Sequence, residues 1–128
     1  VTLDAASLPL DQNAFSSAAA MIAALRPLDP IYCLYGHRFH AAAHRFRSAF
    51  PGEVLYAVKA NPAPAVLRHL HNAGIRGFDT ASIPEIELVR NLLPDARCYF
   101  MAPVRPIGAA EAAYHRFGVR DFAVDTLE

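Results

Sequence analysis

The sequence predicts an α/β fold, and three observations carry that expectation. Strand-type runs begin near residues 54, 76, 97 and 120, so they recur every ~20 to 24 residues. A helix-type pattern fills each gap, which is the βα alternation of a parallel sheet. Gly74, Pro94 and Gly118 punctuate the helical stretches where each should stop.

Taken in order, residues 1–10 include Pro9 and show no periodicity, so an irregular lead-in is expected. Phe15, Ala19, Ile22 and Leu25 fall near the helical period, with Asp11 available as N-cap and Pro27 as the stop. They predict a helix over residues 12–26. The lead-in and this helix make up a first segment, residues 1–30. Ile31, Tyr32, Cys33, Leu34 and Tyr35 then form a short β-type run. Over residues 37–50, Phe39, Ala43, Phe46 and Phe50 share one helical stripe that Pro51 and Gly52 end.

Regular units follow. Residues 54–60 read as strand, 62–73 as helix, 76–80 as strand, 83–93 as helix, 97–102 as strand, 106–117 as helix and 120–125 as strand. A further helix is expected to open at Thr126. Four βα-type strands are half of an eight-stranded (β/α)8 TIM barrel, a fold that takes about 250 residues when whole. Residues 31–128 are therefore expected to be the N-terminal half of such a barrel. Because half a barrel exposes strand edges, the chain reads as truncated. Glycines of the GxGxxG or GxxxxGKS kind do not occur, which removes support for a doubly wound nucleotide-binding fold.

Composition narrows the partners. The 128 residues, 54% hydrophobic and 19% charged, suit one globular domain rather than a disordered chain. Twelve Lys and Arg balance twelve Asp and Glu, so no positive field draws nucleic acid or an anionic membrane surface. The apolar run Ala18–Leu25 is far shorter than the ~20 residues that span a bilayer, and no basic segment precedes it. A soluble, cytoplasmic protein is expected. Cys33 and Cys98 stand alone and are expected to be buried and unpaired.

Eleven of the twelve basic residues are Arg, and the single lysine, Lys59, lies in an apolar stretch. Strand alternation puts Leu55, Ala57 and Lys59 on one face, with Lys59 at the C-terminal end where α/β barrels build their sites. Small Ala57 behind it leaves room for a flat ring. Desolvation there would lower the amine's pKa, and a partly neutral amine is what condensation with an aldehyde needs. A lysine at a strand end can equally reach out to solvent. Asn61 and Pro62 read as N-cap and first residue of the following helix. Asp79 ends the next strand beside Lys59, either as a neighbour of that amine or as a turn-forming residue. Ser82 and Glu85 fit a capping box in which the carboxylate returns to Ser82. His37, His40 and His44 have a spacing that invites a metal, yet they lie off the aromatic stripe with no carboxylate nearby, so no metal site is expected.

The run Tyr56-Ala57-Val58-Lys59-Ala60-Asn61-Pro62, followed by Gly77-Phe78-Asp79-Thr80-Ala81-Ser82 and by Glu85-Ile86-Glu87-Leu88-Val89, resembles the ornithine/diaminopimelate/arginine decarboxylase family. These are the alanine-racemase-like, fold type III, pyridoxal-phosphate enzymes. The resemblance runs from about Ile31 to Glu128. It implies that Lys59 occupies the position of the lysine that forms the internal aldimine with pyridoxal 5'-phosphate. It also implies that Asp79 and Glu85 support that lysine and the cofactor pocket, with Ala57 beside the ring. The Phe-Asp-x-Ala-Ser form is nearest to the ornithine decarboxylase branch. The implied reaction is decarboxylation of a basic amino acid, ornithine to putrescine first, by an enzyme that is a homodimer at full length. Alternatives are a diaminopimelate, lysine or arginine decarboxylase, a racemase, or a non-catalytic homologue like the antizyme inhibitors. The family's phosphate-binding loop, pyridine-nitrogen partner and C-terminal β-domain would fall beyond Glu128, so residues 1–128 alone are expected to be inactive.

Overall fold

The computed structural model describes residues 15–126. Helix α1 spans Ala18–Leu25 and α2 Gly36–Ala49. Strand β1 is Leu55–Ala57, followed at once by a 3-10 turn over Val58–Ala60. The alternation continues with α3 Pro64–Asn72, β2 Gly77–Thr80, α4 Ile83–Leu92, β3 Arg97–Phe100, α5 Ala109–Phe117 and β4 Asp121–Phe122. The strands form one parallel sheet in the order β1-β2-β3-β4, each joined to the next across a helix.

Period-two alternation gives the sheet two unlike faces. Phe78, Cys98 and Phe100 point into the buried core with Leu67, Ile86 and Val89 of the helices. Each such side chain taken fully from water contributes roughly 1.5–3 kcal/mol. Thr80, the one buried polar residue among those described, is satisfied there: its hydroxyl donates to the Tyr99 carbonyl at 2.9 Å. The opposite face carries Leu55, Gly77 and Arg97 in one row and Ala57, Asp79, Tyr99 and Asp121 in the next. Helices on one face and a polar second face describe a barrel wall, because a doubly wound sheet would be covered on both sides. The α/β class and the half-barrel are thus present. No helix among the described residues is long and apolar enough to cross a membrane.

Several expected boundaries move, each for a local reason. The first helix was expected from residue 12 with Asp11 as cap; positions 11–14 lie outside the described residues. Ser17 is the actual cap, its hydroxyl accepting from the Ala20 amide at 3.1 Å, so residues 15–17 precede the helix. Residues 31–35 form no strand, since β1 is the edge of the sheet and nothing pairs with them. Of the predicted aromatic stripe on α2, Phe39 packs against the core and Ala43 is buried, whereas Phe46 and Phe50 are exposed. Cys33, expected inside, is exposed; Cys98 is buried, and both are free thiols.

The third helix begins two residues late. Asn61 accepts from the Ala63 amide at 3.0 Å, and Pro64 rather than Pro62 takes the first turn. Helix α5 opens at Ala109 instead of 106, because Gly108 sits at φ 79, outside the right-handed helical region. Strands β1, β3 and β4 are each shorter than predicted: β3 and β4 stop together at the paired Phe100 and Phe122, and β1 stops at Ala57 where the chain turns into the 3-10 segment. The helix expected at Thr126 lies largely outside the described residues.

Candidate active site

The C-terminal ends of the strands carry the residues singled out by the sequence. Ala57 aligns with Asp79 on the open face, and neighbouring strands lie about 4.8 Å apart. Lys59 does not continue the strand. It sits in the 3-10 turn just beyond β1, so the expected alternation of Leu55, Ala57 and Lys59 stops at Ala57. That turn is held from three sides. Val58 is fully buried, the Tyr56 hydroxyl donates to the Asn61 carbonyl at 3.3 Å, and Asn61 closes its own turn onto Ala63. Tyr56 meets Phe78 edge-on at 6.4 Å, and burial raises its phenol pKa above the ordinary value.

Lys59 itself is exposed and makes no hydrogen bond or ion pair. This corrects the expectation of a poorly hydrated amine: the four strands leave the face beside it open. Asp79 is half-buried and also unpartnered. It is the one carboxylate among the described residues that is shielded from solvent without being bonded. Glu85 is bonded, but not as expected. Its carboxylate accepts from the Ala81 amide at 2.8 Å rather than from Ser82, while the Ser82 hydroxyl accepts from the Glu85 amide at 3.4 Å. Glu85 therefore ties the segment just after β2 to the start of α4.

Sequence reasoning missed a second polar group, lower on the same face. The Tyr99 hydroxyl donates to Glu53 at 2.6 Å, and Arg97 lies 3.5 Å from both Glu53 and Asp121. The Arg97 guanidinium covers the Tyr99 ring at 5.1 Å. Gly77 makes this crossing possible: a Cβ there would clash with the Leu55 side chain and crowd both Glu53 and the Tyr99 ring at 3.1 Å. The available signal was the alternation of Arg97 and Tyr99 on β3 opposite a glycine on β2. Burial, then the Glu53 carboxylate, push the Tyr99 phenol up to about 12.

Burial likewise pushes the Cys98 thiol up to about 11, with the Arg90 charge opposing it. Both groups hold their protons more tightly when folded than when unfolded. Their contribution is therefore complete below the unfolded pKa values and is lost as pH rises through the folded ones. These two groups should leave the urea midpoint unchanged just below pH 9; the midpoint should then fall between pH 9 and 11 as Cys98 is forced to ionise, and further as Tyr99 follows. Cys98→Ala and Tyr99→Phe should each flatten its own limb; an unchanged profile in both would contradict the assignment.

No group of three or more His, Cys, Asp or Glu among the described residues could hold a metal ion. His40 instead packs edge-on against His69, which stacks on Phe39. A cavity of about 370 Å³ lies between the starts of α4 and α5, and neither Lys59 nor Asp79 lines it. The rim rather than that cavity fits pyridoxal phosphate: a free primary amine for the aldehyde, an unpaired carboxylate, and a methyl side chain at Ala57 that leaves the adjoining face clear.

Comparison with known proteins points to the same cofactor. The family model described as "Pyridoxal-dependent decarboxylase, pyridoxal binding domain" matches residues 37–128. Among solved structures, lysine decarboxylase from Selenomonas ruminantium superposes with a TM-score of 0.71 at 25% sequence identity, over 90% of this chain. The chain spans 30% of the length of that protein. Comparison with the curated proteins finds no match. With Lys59 and Asp79 on one rim of a parallel βα sheet and that domain matched over residues 37–128, this chain belongs to the pyridoxal-dependent decarboxylases, within their pyridoxal-binding domain.

Proposed function

We propose that the protein containing this chain decarboxylates a basic amino acid, ornithine to putrescine first, with Lys59 as the residue that binds pyridoxal 5'-phosphate covalently. The observation that carries this reading is the free Lys59 amine, held on a fixed turn at the end of β1 next to the strand that bears unpaired Asp79. Lys59 is the one lysine in the chain, so no other side chain here can form an imine with an aldehyde. Asp79 supplies negative charge on the neighbouring strand of the same rim. Glu85 holds the β2–α4 junction through Ala81, and Ala57 keeps the adjoining face small enough for a ring. When bound, the cofactor supplies the electron sink for cleavage of the bond to the α-carboxylate.

The catalytic unit we envisage is a cytoplasmic homodimer whose pyridoxal-binding part lies in residues 31–128. Lysine is the second substrate reading, favoured by the 25% identity to a lysine decarboxylase. The full-length protein should be supplied with pyridoxal phosphate and, separately, ornithine, lysine, arginine and diaminopimelate, and the amines released should be identified. Putrescine as the dominant product is expected. Cadaverine would move the assignment to lysine, and no amine from any of the four would overturn the decarboxylase reading.

A further inference from the structure

Arg105 lies in the loop between β3 and α5, and no role in the site has been assigned to it. One of its guanidinium nitrogens donates to the Ala102 carbonyl at 3.0 Å and to the Ala123 carbonyl at 2.9 Å. Ala102 stands just past the end of β3, and Ala123 just past the end of β4. The same group lies 5.2 Å over the Phe100 ring and 5.7 Å over the Phe122 ring, placing it against the aromatic pair that the two strands contribute.

This matters because the ladder between β3 and β4 is short. Only Tyr99 with Asp121 and Phe100 with Phe122 are in register, and the last backbone bond runs from the Ala123 amide to the Phe100 carbonyl at 3.0 Å. Beyond it, strand-end carbonyls need other donors, and a planar cation with several N–H groups can serve two at once. The rest of the loop has little to hold it: Val104 is 84% and Ile107 107% exposed. The Met101 amide donates to the Thr80 carbonyl at 3.1 Å, so the loop leaves from the end of β3 directly beside the end of β2.

We propose that Arg105 is a positioning residue for the site: it clamps the C-terminal ends of β3 and β4 and so sets the height of the loop over residues 101–108 at the rim where cofactor and substrate bind. This rests on the reading that the rim with Lys59 and Asp79 is the site. Arg105 touches neither residue and acts through the backbone it holds.

The test uses the full-length protein, with pyridoxal phosphate titrated into wild type, Arg105→Ala and Arg105→Lys, and with hydrogen exchange followed at residues 101–108 and in α3. Losing hydrogen bonds from a charged donor is expected to weaken cofactor binding about tenfold in Arg105→Ala. Exchange at 101–108 should speed up while α3 keeps its protection. Arg105→Lys retains a charge and donors without the flat fork, so its affinity should fall between the other two. An unchanged cofactor Kd in Arg105→Ala, whatever its melting temperature, would overturn the clamp while leaving the site reading intact. A wild-type protein that takes up no cofactor would overturn the site reading and the clamp together.

Discussion

Lys59→Ala is expected to lower the decarboxylase activity of the full-length protein by about 10³-fold or more, equivalent to at least ~4 kcal/mol in the barrier. Covalent retention of the cofactor after borohydride reduction should disappear with it. The same change should leave stability within about 0.5 kcal/mol, because the side chain is exposed and bonds to nothing that folding depends on. The turn that carries it is anchored elsewhere, by buried Val58 and by the bond from Tyr56 to Asn61. Lys59→Arg separates charge from chemistry: a guanidinium keeps the cation but is always protonated and does not condense with the aldehyde, so this variant should be as inactive as the alanine one. Activity in either variant above a tenth of wild type would remove Lys59 from its proposed role.

Phe78→Ala should be the most damaging single change to the fold, costing about 3–5 kcal/mol in urea denaturation. Phe78 is fully buried on β2, an inner strand paired on both sides, and it faces the helical layer. Its ring also backs Tyr56, whose hydroxyl fastens the turn of Lys59, so cofactor affinity should fall along with stability. The contrast is Phe46→Ala. Phe46 lies on the aromatic stripe that helical periodicity alone would bury, yet it is exposed and should cost less than about 0.5 kcal/mol. Equal losses for the two phenylalanines would show that the core is not centred on β2.

That contrast separates what periodicity can carry from what it cannot. The βα alternation was readable because each strand and helix needs a local pattern of apolar residues, and glycine and proline mark the ends. Helix α4 with its Ser82 cap, and β2, fell within a residue of their expected bounds. The Asn61 turn did not: Asn61 and Pro62 satisfy a helix start as well as they satisfy the turn before one, and the choice depended on where Val58 could be buried. Residues 31–35 had the composition of a strand, but pairing requires a partner that their own sequence cannot specify.

The candidate site divides the same way. Lys59 and Asp79 were legible from chemical type and position at strand ends, since an amine and a carboxylate announce themselves. Whether each had a partner was not. Glu85 is engaged by the Ala81 amide, Asp79 is left free, and the Glu53, Arg97 and Tyr99 group assembles through the gap at Gly77 from segments up to 46 residues apart. Local order along the chain thus specified the class of fold, its sequence of elements and the residues able to do chemistry. Strand register and side-chain packing specified the bonded partners, the free groups and the exposed amine, because those depend on distances between segments that no local pattern encodes.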